Sequence, residues 1–280
     1  FALRPGCFWL RRSIGRGWVV GFYARCGFCC GCFSIRNRRA HCRHHLGAKQ
    51  LTMSRIFISK DPEDLNEGLY ALQQNGLLEA QALIDFALQS FGQIDILINN
   101  ASAINLTRTD QTPAKRFDLM FDVNVRGTFL TSQAALPHLR KSAAEGRNPH
   151  ILNLSPPLSM KPVWFKNHVA YTMAKYGMSM CVLGMAEEFK RDGIGVNALW
   201  PRTVIDTAAL QMIPGIDASA GRTPEILADA AYVIFNRDAK ECTGNFFVDD
   251  LLLASEGITD LEKYSVTPGT KDFLLDFFLD

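Results

Sequence analysis

The chain has 280 residues, of which 48% are apolar and 21% charged, a composition that supplies a large core and excludes collagen, coiled coils and whole-chain disorder. The net charge of +2 conceals two unlike parts, because residues 1–60 carry 12 basic and no acidic residues, whereas the rest carries 18 basic and 28 acidic ones. No apolar run approaches the ~18 residues of a membrane-spanning helix, so no membrane span is predicted.

Residues 1–76 form a basic, cysteine-rich segment that we predict to be distinct from the body of the chain. The chain begins with Phe rather than Met, so we expect a fragment or a conceptual translation. One interpretation of the segment is an Arg-rich, acid-poor mitochondrial targeting sequence. A second is a metal site built from Cys26, Cys29 and the histidines of residues 41–45, although its spacing fits known zinc sites poorly. A third is a shifted reading frame.

The shifted frame explains the run RCGFCCGC at residues 25–32 best. Read one base later, each Cys codon contributes to a Val or Ala codon, and each Gly codon yields a small residue. The run then becomes a small, apolar stretch typical of a buried strand in a parallel sheet. Basic charge alone gives only non-specific affinity for nucleic acid, so neither a nucleic-acid partner nor a bound metal is predicted for the chain.

The body, residues 77–280, shows helical patterns that alternate with short apolar runs. Apolar residues at helical spacing predict a helix over residues 79–91 that ends at Gly92, and the run 94–98 predicts a buried strand. The later patterns predict helices over residues 112–139, 169–190 and 224–235, and strands over residues 151–154, 194–199 and 244–248. This alternation predicts an α/β fold, a doubly wound, Rossmann-like parallel sheet with helices on both faces.

Tyr171 and Lys175 are the first candidates for chemistry. They lie four residues apart on a predicted helix, so their side chains share one face, one turn apart. A neighbouring ammonium favours the phenolate and lowers the pKa of a tyrosine, and such a phenol can exchange a proton with an alcohol or carbonyl oxygen. Taken alone the motif is weak, because a solvated lysine beside a half-buried tyrosine is a common arrangement.

Other polar residues follow the predicted strands, at the edge where doubly wound sheets bind ligands. Asn99 follows the first strand of the body and Ser155 the second, although ordinary Asn and Ser turns explain both equally well. The loop from Pro201 to Thr207 follows the third strand. Asn124 lies within an apolar helix, where its amide needs a partner, and it would hold a water molecule or bend the helix.

In this order, the motifs Asn99-Asn100-Ala101, Asn124, Ser155, Tyr171-x-x-x-Lys175 and Pro201 to Thr207 resemble those of the short-chain dehydrogenase/reductase family. The likeness covers roughly residues 77–280, and the stretches 151–157, 162–166 and 170–180 resemble one branch of the family closely. The resemblance implies an NAD(P)-dependent oxidoreductase that interconverts an alcohol and a ketone on a small or lipid-like substrate. It also implies a homo-oligomer.

The resemblance implies a role for each matching residue. Tyr171 would be the proton donor or acceptor, Lys175 would lower its pKa and bind the nicotinamide ribose, and Asn124 would hold a proton-relay water. NADP or NAD would be bound by residues on both sides of the cleft, namely Asn99, Ala101, Lys175, Pro201, Thr203 and Thr207. The body has only two cysteines, Cys181 and Cys242, so we expect an intracellular protein, cytoplasmic or, in a eukaryote, mitochondrial or peroxisomal.

Two departures from the family pattern support an alternative, a catalytically inactive protein of the same fold. Pro156 stands where the family usually has its catalytic serine, so Ser155 and Ser159 are the candidate substitutes. Residues 1–76 also lack the glycine-rich turn that receives a pyrophosphate; residues 13–17, SIGRG, resemble it only in part, and no clear strand is predicted before them.

Two further groups of residues are apolar or aromatic. Trp164, Phe165 and Met212 either line an apolar substrate pocket or belong to the core. The tail, residues 272–280, is acidic and aromatic, and we expect it to pack back onto the body as an arm.

Overall fold

The computed structural model describes residues 8–12, 18–22, 77–207, 210, 213 and 215–279. The residues of the alternative metal-site interpretation (Cys26, Cys29 and residues 41–45) and Met212 lie outside this part of the chain. None of the described helices is long and apolar enough to cross a membrane, and no group of metal-ligating side chains occurs among the described residues.

Six strands form one sheet in the spatial order β1-β2-β3-β4-β5-β6. Their bounds are β1 Phe8–Arg12, β2 Trp18–Phe22, β3 Ile96–Asn99, β4 His150–Asn153, β5 Gly195–Trp200 and β6 Phe246–Val248. Strands β2 to β6 pair in parallel with their neighbours, and β1 pairs antiparallel with β2. The predicted Rossmann-like parallel sheet is confirmed, and every residue of β4 and β5 is buried, as expected when helices cover both faces.

The four predicted helices occur in the predicted order, with one interruption. The helices of the structure are α1 Leu77–Phe91, α2 Ala114–Met120, α3 Thr128–Ala144, α4 Val169–Glu188, α5 Glu225–Asn236 and α6 Asp249–Ser255, of which α6 was not predicted. A π-helical segment, Phe121–Gly127, joins α2 to α3, so the single helix predicted over residues 112–139 is divided. Short 3₁₀ turns occupy Thr109–Gln111, Pro162–Trp164, Lys190–Asp192, Ala218–Ala220 and Glu262–Tyr264.

The structure describes two strands, β1 and β2, within residues 1–76. Strand β1 lies directly before residues 13–17, at a position for which no clear strand was predicted. Residues 13–17 themselves lie outside the described residues. In a pyrophosphate turn a strand leads into a helix N-terminus, whereas here β1 is followed by its antiparallel partner β2. The antiparallel pairing of β1 and β2 agrees with the prediction that the N-terminal βα units are missing or aberrant. For the rest of residues 1–76 this stays a prediction, as does a domain boundary at residue 76.

The alternating side chains of the strands supply two cores, one on each face of the sheet. Ile151 belongs to the core formed with α1, α3 and α4, and its neighbour Leu152 belongs to the core formed with α5 and α6. A third apolar cluster contains Tyr171 and Phe278. It lies beyond the carboxyl ends of the strands, where the candidate site is found.

Residues 272–279, called the C-terminal arm below, pack against the loop that follows β5. The Leu274 amide donates to the carbonyl of Ala220, at 2.9 Å, and the Val204 amide donates to the carbonyl of Leu274, also at 2.9 Å. The Asp276 amide donates to the carbonyl of Arg202, at 2.9 Å. The expectation that the tail packs back as an arm is confirmed.

Candidate active site

Helix α4 places Tyr171 and Lys175 at the carboxyl edge of the sheet. The Lys175 ammonium donates to the carbonyl of Leu154, which follows β4, at 2.8 Å. It also lies 3.5 Å from the hydroxyl of Ser102, in the loop after β3, and 4.9 Å from the ring centroid of Trp200, at the end of β5. Lys175 therefore touches all three chain segments that leave the central strands, and it is only 3% exposed.

Burial dominates the acid–base properties of this pair. It lowers the pKa of Lys175 to about 7, against a smaller opposing effect of Asp276. It raises the pKa of Tyr171, which is 5% exposed, and Asp276 raises that pKa further. The pKa of Tyr171 thus moves opposite to the direction expected from its neighbour Lys175, because loss of hydration penalises the phenolate more than the nearby ammonium favours it. In this structure Tyr171 is a neutral phenol at neutral pH.

Asp276, in the C-terminal arm, is a third titratable group at the site. Its carboxylate accepts a hydrogen bond from the Phe277 amide, at 2.6 Å. Burial raises its pKa to about 7; the Phe277 bond and Lys175 lower that pKa, while Asp249 raises it. Asp249 is itself fully buried, with a pKa raised by burial to about 6. Sequence reasoning missed Asp276, since its only signal was the acidic and aromatic character of the tail.

Asn99 lies at the carboxyl end of β3, directly beside Asn153 at the end of β4 in the register of the two strands. Its amide donates to Asn153, at 2.9 Å, and to Ser132, at 3.1 Å. Its carbonyl oxygen accepts from the hydroxyl of Thr131, at 2.8 Å, and Asn153 donates in turn to the carbonyl of Met178 on α4, at 3.2 Å. This network ties α3 and α4 to the ends of β3 and β4, and it occupies both amide hydrogens of Asn99.

Asn124 lies in the π-helical segment and is fully buried. Its side-chain oxygen accepts from the Ala103 amide, at 2.7 Å, and its nitrogen donates to the Ala103 carbonyl, at 3.0 Å. Asn124 therefore fixes the loop that follows β3, the same loop that carries Ala101 and Ser102. A π-helical turn often occurs at functional sites, because it changes the direction of the helix and its backbone hydrogen bonds.

Two buried hydroxyls at the same edge have no hydrogen-bond partner within the described part of the chain. One belongs to Ser155, immediately after β4, and the other to Thr203, in the loop after β5. Pro201 opens that loop and is buried, whereas Thr207, at its far end, is half-buried. Ser159 is half-buried and accepts a bond from the Lys161 amide, at 3.3 Å. Unpaired buried hydroxyls are costly, so Ser155 and Thr203 mark a place where a polar ligand atom would be accommodated.

Aromatic rings form the remaining wall of the site. Trp164 and Phe165 pack in the same cluster as Tyr171, together with Phe278 of the C-terminal arm. The Trp164 and Phe278 ring centroids lie 6.1 Å apart. The core interpretation of Trp164 and Phe165 is supported, because both rings pack in this apolar cluster, and the pocket interpretation stays a prediction.

Comparison with known proteins identifies the family. The family model described as short chain dehydrogenase matches residues 75–214, half of the chain. A solved short chain dehydrogenase from Mycobacterium thermoresistibile is 43% identical, with a TM-score of 0.66, over 75% of this chain and 72% of that one. The chain belongs to the short-chain dehydrogenase family.

Within the short-chain dehydrogenase family, the chain is similar to hydroxysteroid dehydrogenase-like protein 2. The protein of that name from Danio rerio is 59% identical over 198 residues, which cover 70% of this chain and 46% of the relative. The human protein of that name is 55% identical over 204 residues, covering 72% of this chain and 47% of the relative. The chain thus spans about half the length of the curated relatives it matches.

A more distant short-chain dehydrogenase-like structure is that of 3-ketoacyl-(acyl-carrier-protein) reductase from Brucella melitensis, solved in complex with NADH. It is 26% identical, with a TM-score of 0.55, over 63% of this chain and 73% of that chain. This similarity supports the same fold for the chain. The individual roles of Tyr171, Lys175, Asn124 and Ser155 stay predictions.

Proposed function

We propose that the chain is an NAD(P)-dependent oxidoreductase that interconverts an alcohol and a ketone on a small or lipid-like substrate. The observation that carries the proposal is the position of Tyr171 and Lys175 on α4, with the Lys175 ammonium 2.8 Å from the carbonyl of Leu154 at the carboxyl edge of the sheet. Ligands of doubly wound sheets bind at this edge. Membership of the short-chain dehydrogenase family supports the same chemistry.

The residues present fit the nicotinamide half of the cofactor. The unpaired hydroxyl of Thr203 and the adjoining Pro201 offer polar and apolar contacts to a nicotinamide ring. The Lys175 ammonium and the Ser102 hydroxyl, 3.5 Å apart, would both contact the same ribose from one side. Asn99 and Ala101 would line the adenosine side through the loop after β3, and Thr207 would close the far end. When bound, the cofactor supplies or accepts the hydride.

The phosphate half has no matching cradle in the part of the chain that the structure describes. None of the described strands leads through a glycine-rich turn into a helix N-terminus. The alternative is an inactive protein of the same fold, and a titration decides between the two. Quenching of tryptophan fluorescence by NADH or NADPH would support the enzyme, whereas no response at millimolar cofactor would support the inactive fold.

In the proposed reaction Tyr171 donates the proton to the carbonyl oxygen of a ketone during reduction. Burial keeps the phenol protonated, which suits a donor, and transfer to a developing alkoxide is favourable because the alkoxide is more basic than the phenolate. The hydroxyl of Ser155 would polarise the same carbonyl oxygen. Lys175 would stabilise the phenolate that forms, and Asn124 would position the water that returns a proton to it.

Tyr171→Phe tests this assignment. Loss of a general acid usually slows turnover by about 10²- to 10⁴-fold, and we expect a loss of at least ~100-fold with cofactor binding unchanged. The assay follows reduced-nicotinamide absorbance with ketones of increasing apolar size. Tyr232→Phe, which removes a hydroxyl from a half-buried tyrosine on α5, is the matched control and should retain full turnover. Equal rates for wild type and Tyr171→Phe would reject the role of Tyr171.

We also propose a homo-oligomer that associates through α3 and α4. Four apolar side chains on these helices are 44–58% exposed: Phe129, Met173, Met180 and Leu183. Met173 and Met180 are seven residues apart and Leu183 follows three residues later, so these three form one stripe along α4. An exposed apolar stripe of this kind favours association with a partner, and two copies of the same stripe would cover each other.

A further inference from the structure

Phe278, in the C-terminal arm, fills the space beside the candidate catalytic tyrosine. The residue is 3% exposed, and its ring centroid lies 6.2 Å from that of Tyr171. Its ring lies at the centre of an aromatic cage, with six rings at centroid distances of 5.3–6.4 Å: Trp164, His168, Tyr171, Tyr176, Trp200 and the adjacent Phe277. A benzyl group of this chain therefore occupies the apolar space nearest to Tyr171.

The backbone at Phe278 is not relaxed. Its φ angle is +71°, a region that bulky residues with a Cβ avoid because of steric clash. Such a conformation persists only where surrounding contacts compensate for its cost, and it occurs often at ligand clamps and switches. At this residue the compensation comes from burial of the ring in the cage, so a ligand that occupied the cage would also relieve the strained backbone.

The arm is held unequally along its length. Leu274 and Asp276 are fixed by backbone hydrogen bonds to the carbonyls of Ala220 and Arg202. Beyond Asp276, among the described residues, the backbone bond to another part of the chain is the one from the Trp200 indole to the carbonyl of Phe277, at 2.8 Å, while the Phe277 amide donates within the arm to Asp276. The tip that carries Phe278 can therefore swing away on the anchored segment when one side-chain bond and the ring contacts are broken.

We infer that the Phe278 ring is a displaceable plug of the substrate pocket, and that an apolar ketone with an aromatic or alicyclic ring takes its place beside Tyr171. The inference rests on the proposed function for the identity of the reacting group. A ketone oxygen must reach the hydroxyl of Tyr171 for proton transfer, and Tyr171 is only 5% exposed while Phe278 is in place. A substrate ring that replaces the benzyl group would keep the aromatic contacts of the cage and bring its carbonyl next to Tyr171 and Ser155.

Fluorine NMR on the full chain tests the displacement directly, with acetophenone as the probe. A single 4-fluorophenylalanine at position 278 adds little volume and should report a buried ring in the free protein. Saturating acetophenone should move its signal to the position of a solvent-exposed ring. The same label at Phe273, which stacks on the Arg222 guanidinium at 4.7 Å, is the control and should not respond.

Binding by Phe278→Ala provides a second measurement. Because the variant no longer spends binding free energy on displacing its own ring, it should bind acetophenone about tenfold more tightly than wild type, as read from the fluorescence of Trp164 and Trp200. Leu275→Ala, which alters a 56% exposed side chain of the arm, is the matched control and should bind as wild type does.

Three results would overturn the inference: a label at position 278 that stays buried at saturating acetophenone, no binding by wild type at any concentration, or no gain of affinity in Phe278→Ala. Failure of the proposed function would be seen in a different measurement, the turnover of Tyr171→Phe. If Tyr171→Phe retains turnover while acetophenone still displaces the ring, the proton role of Tyr171 is rejected and the plug stands. If Tyr171→Phe loses turnover while the ring never moves, only the plug is rejected.

Discussion

Asp276→Asn should stabilise the protein above neutral pH and have little effect in mild acid. Raising the pKa of this carboxyl from 3.8 to about 7 makes its ionisation in the folded protein cost on the order of 4 kcal/mol. The cost is absent below about pH 4, where the carboxyl is protonated in both folded and unfolded states, and it grows until the pH passes about 7. Asparagine keeps an oxygen that can accept from the Phe277 amide, so the main hydrogen bond of the side chain survives.

The groups around Asp276 modify this magnitude in known directions. Lys175 attracts the carboxylate and Asp249 repels it, so Asp276→Asn gives up one favourable and one unfavourable interaction. Lys175 is itself near half-protonation at pH 7, and its attraction therefore weakens as the pH rises. The net gain from Asp276→Asn should be about 2–4 kcal/mol at pH 8 and close to zero near pH 4.

Urea denaturation at several pH values between about 4 and 8 measures this difference, provided that the slope of unfolding free energy against urea is the same for both proteins. Asp272→Asn is the matched control, because Asp272 lies on the same arm and is exposed, and it should shift stability little at any pH. A gain for Asp276→Asn that is equal at pH 4 and pH 8, or a loss that grows with pH, would refute the reasoning from burial.

The other predictions concern the contacts of α4. Gly177→Ala should destabilise the protein by about 1–3 kcal/mol, because the added methyl would lie 2.6 Å from a methyl of Val125, whose branched side chain has little freedom to turn. Gly184→Ala, where nothing lies within 4 Å of the added methyl, should instead stabilise the protein by about 0.5–1 kcal/mol. Equal shifts in melting temperature for the two variants would contradict the close packing of α4 on the π-helical segment. Met180→Glu should reduce the sedimentation coefficient to that of a monomer if α4 is the oligomer interface, whereas Glu225→Gln, an exposed position on α5 at the opposite face of the sheet, should leave it unchanged; a wild-type chain that already sediments as a monomer would reject the interface.

The sheet and its helices could be predicted because their patterns are local. Each pattern lies within about 20 consecutive residues, so a single stretch of sequence is enough to predict the element. This holds for the apolar runs that form β3, β4 and β5 and for the helical spacing of apolar residues in α1 and α4. Strand ends were off by one or two residues, since hydrogen bonding, rather than hydrophobicity, decides where a strand ends. The π-helical segment around Asn124 was not predicted as such, because its seven residues are too few for the apolar spacing to distinguish i→i+5 from i→i+4 hydrogen bonding.

The candidate site was predicted only as far as its residues follow strands or share a helix face. Tyr171 and Lys175 are linked by helical periodicity, and Ser155 by its place after a strand. The role of Asn153 could not be predicted, because a single asparagine within an apolar strand does not indicate a polar network. Its partner, Asn99, becomes evident only when the two neighbouring strands are aligned. That alignment depends on the register between two strands that lie more than 50 residues apart.

The C-terminal arm shows why electrostatics at this site could not be derived from the Tyr171 and Lys175 pair alone. The sequence interval of four residues predicts an ammonium that favours the phenolate, and it gives no information on how much water reaches either group. Water is excluded by Phe278 and by the chain around Asp276, about 100 residues away, and that exclusion reverses the expected direction for Tyr171. If the ring of Phe278 does leave the cage, hydration of Tyr171 should increase and its pKa should fall toward the usual value, so the position of the arm and the acidity of the phenol are coupled.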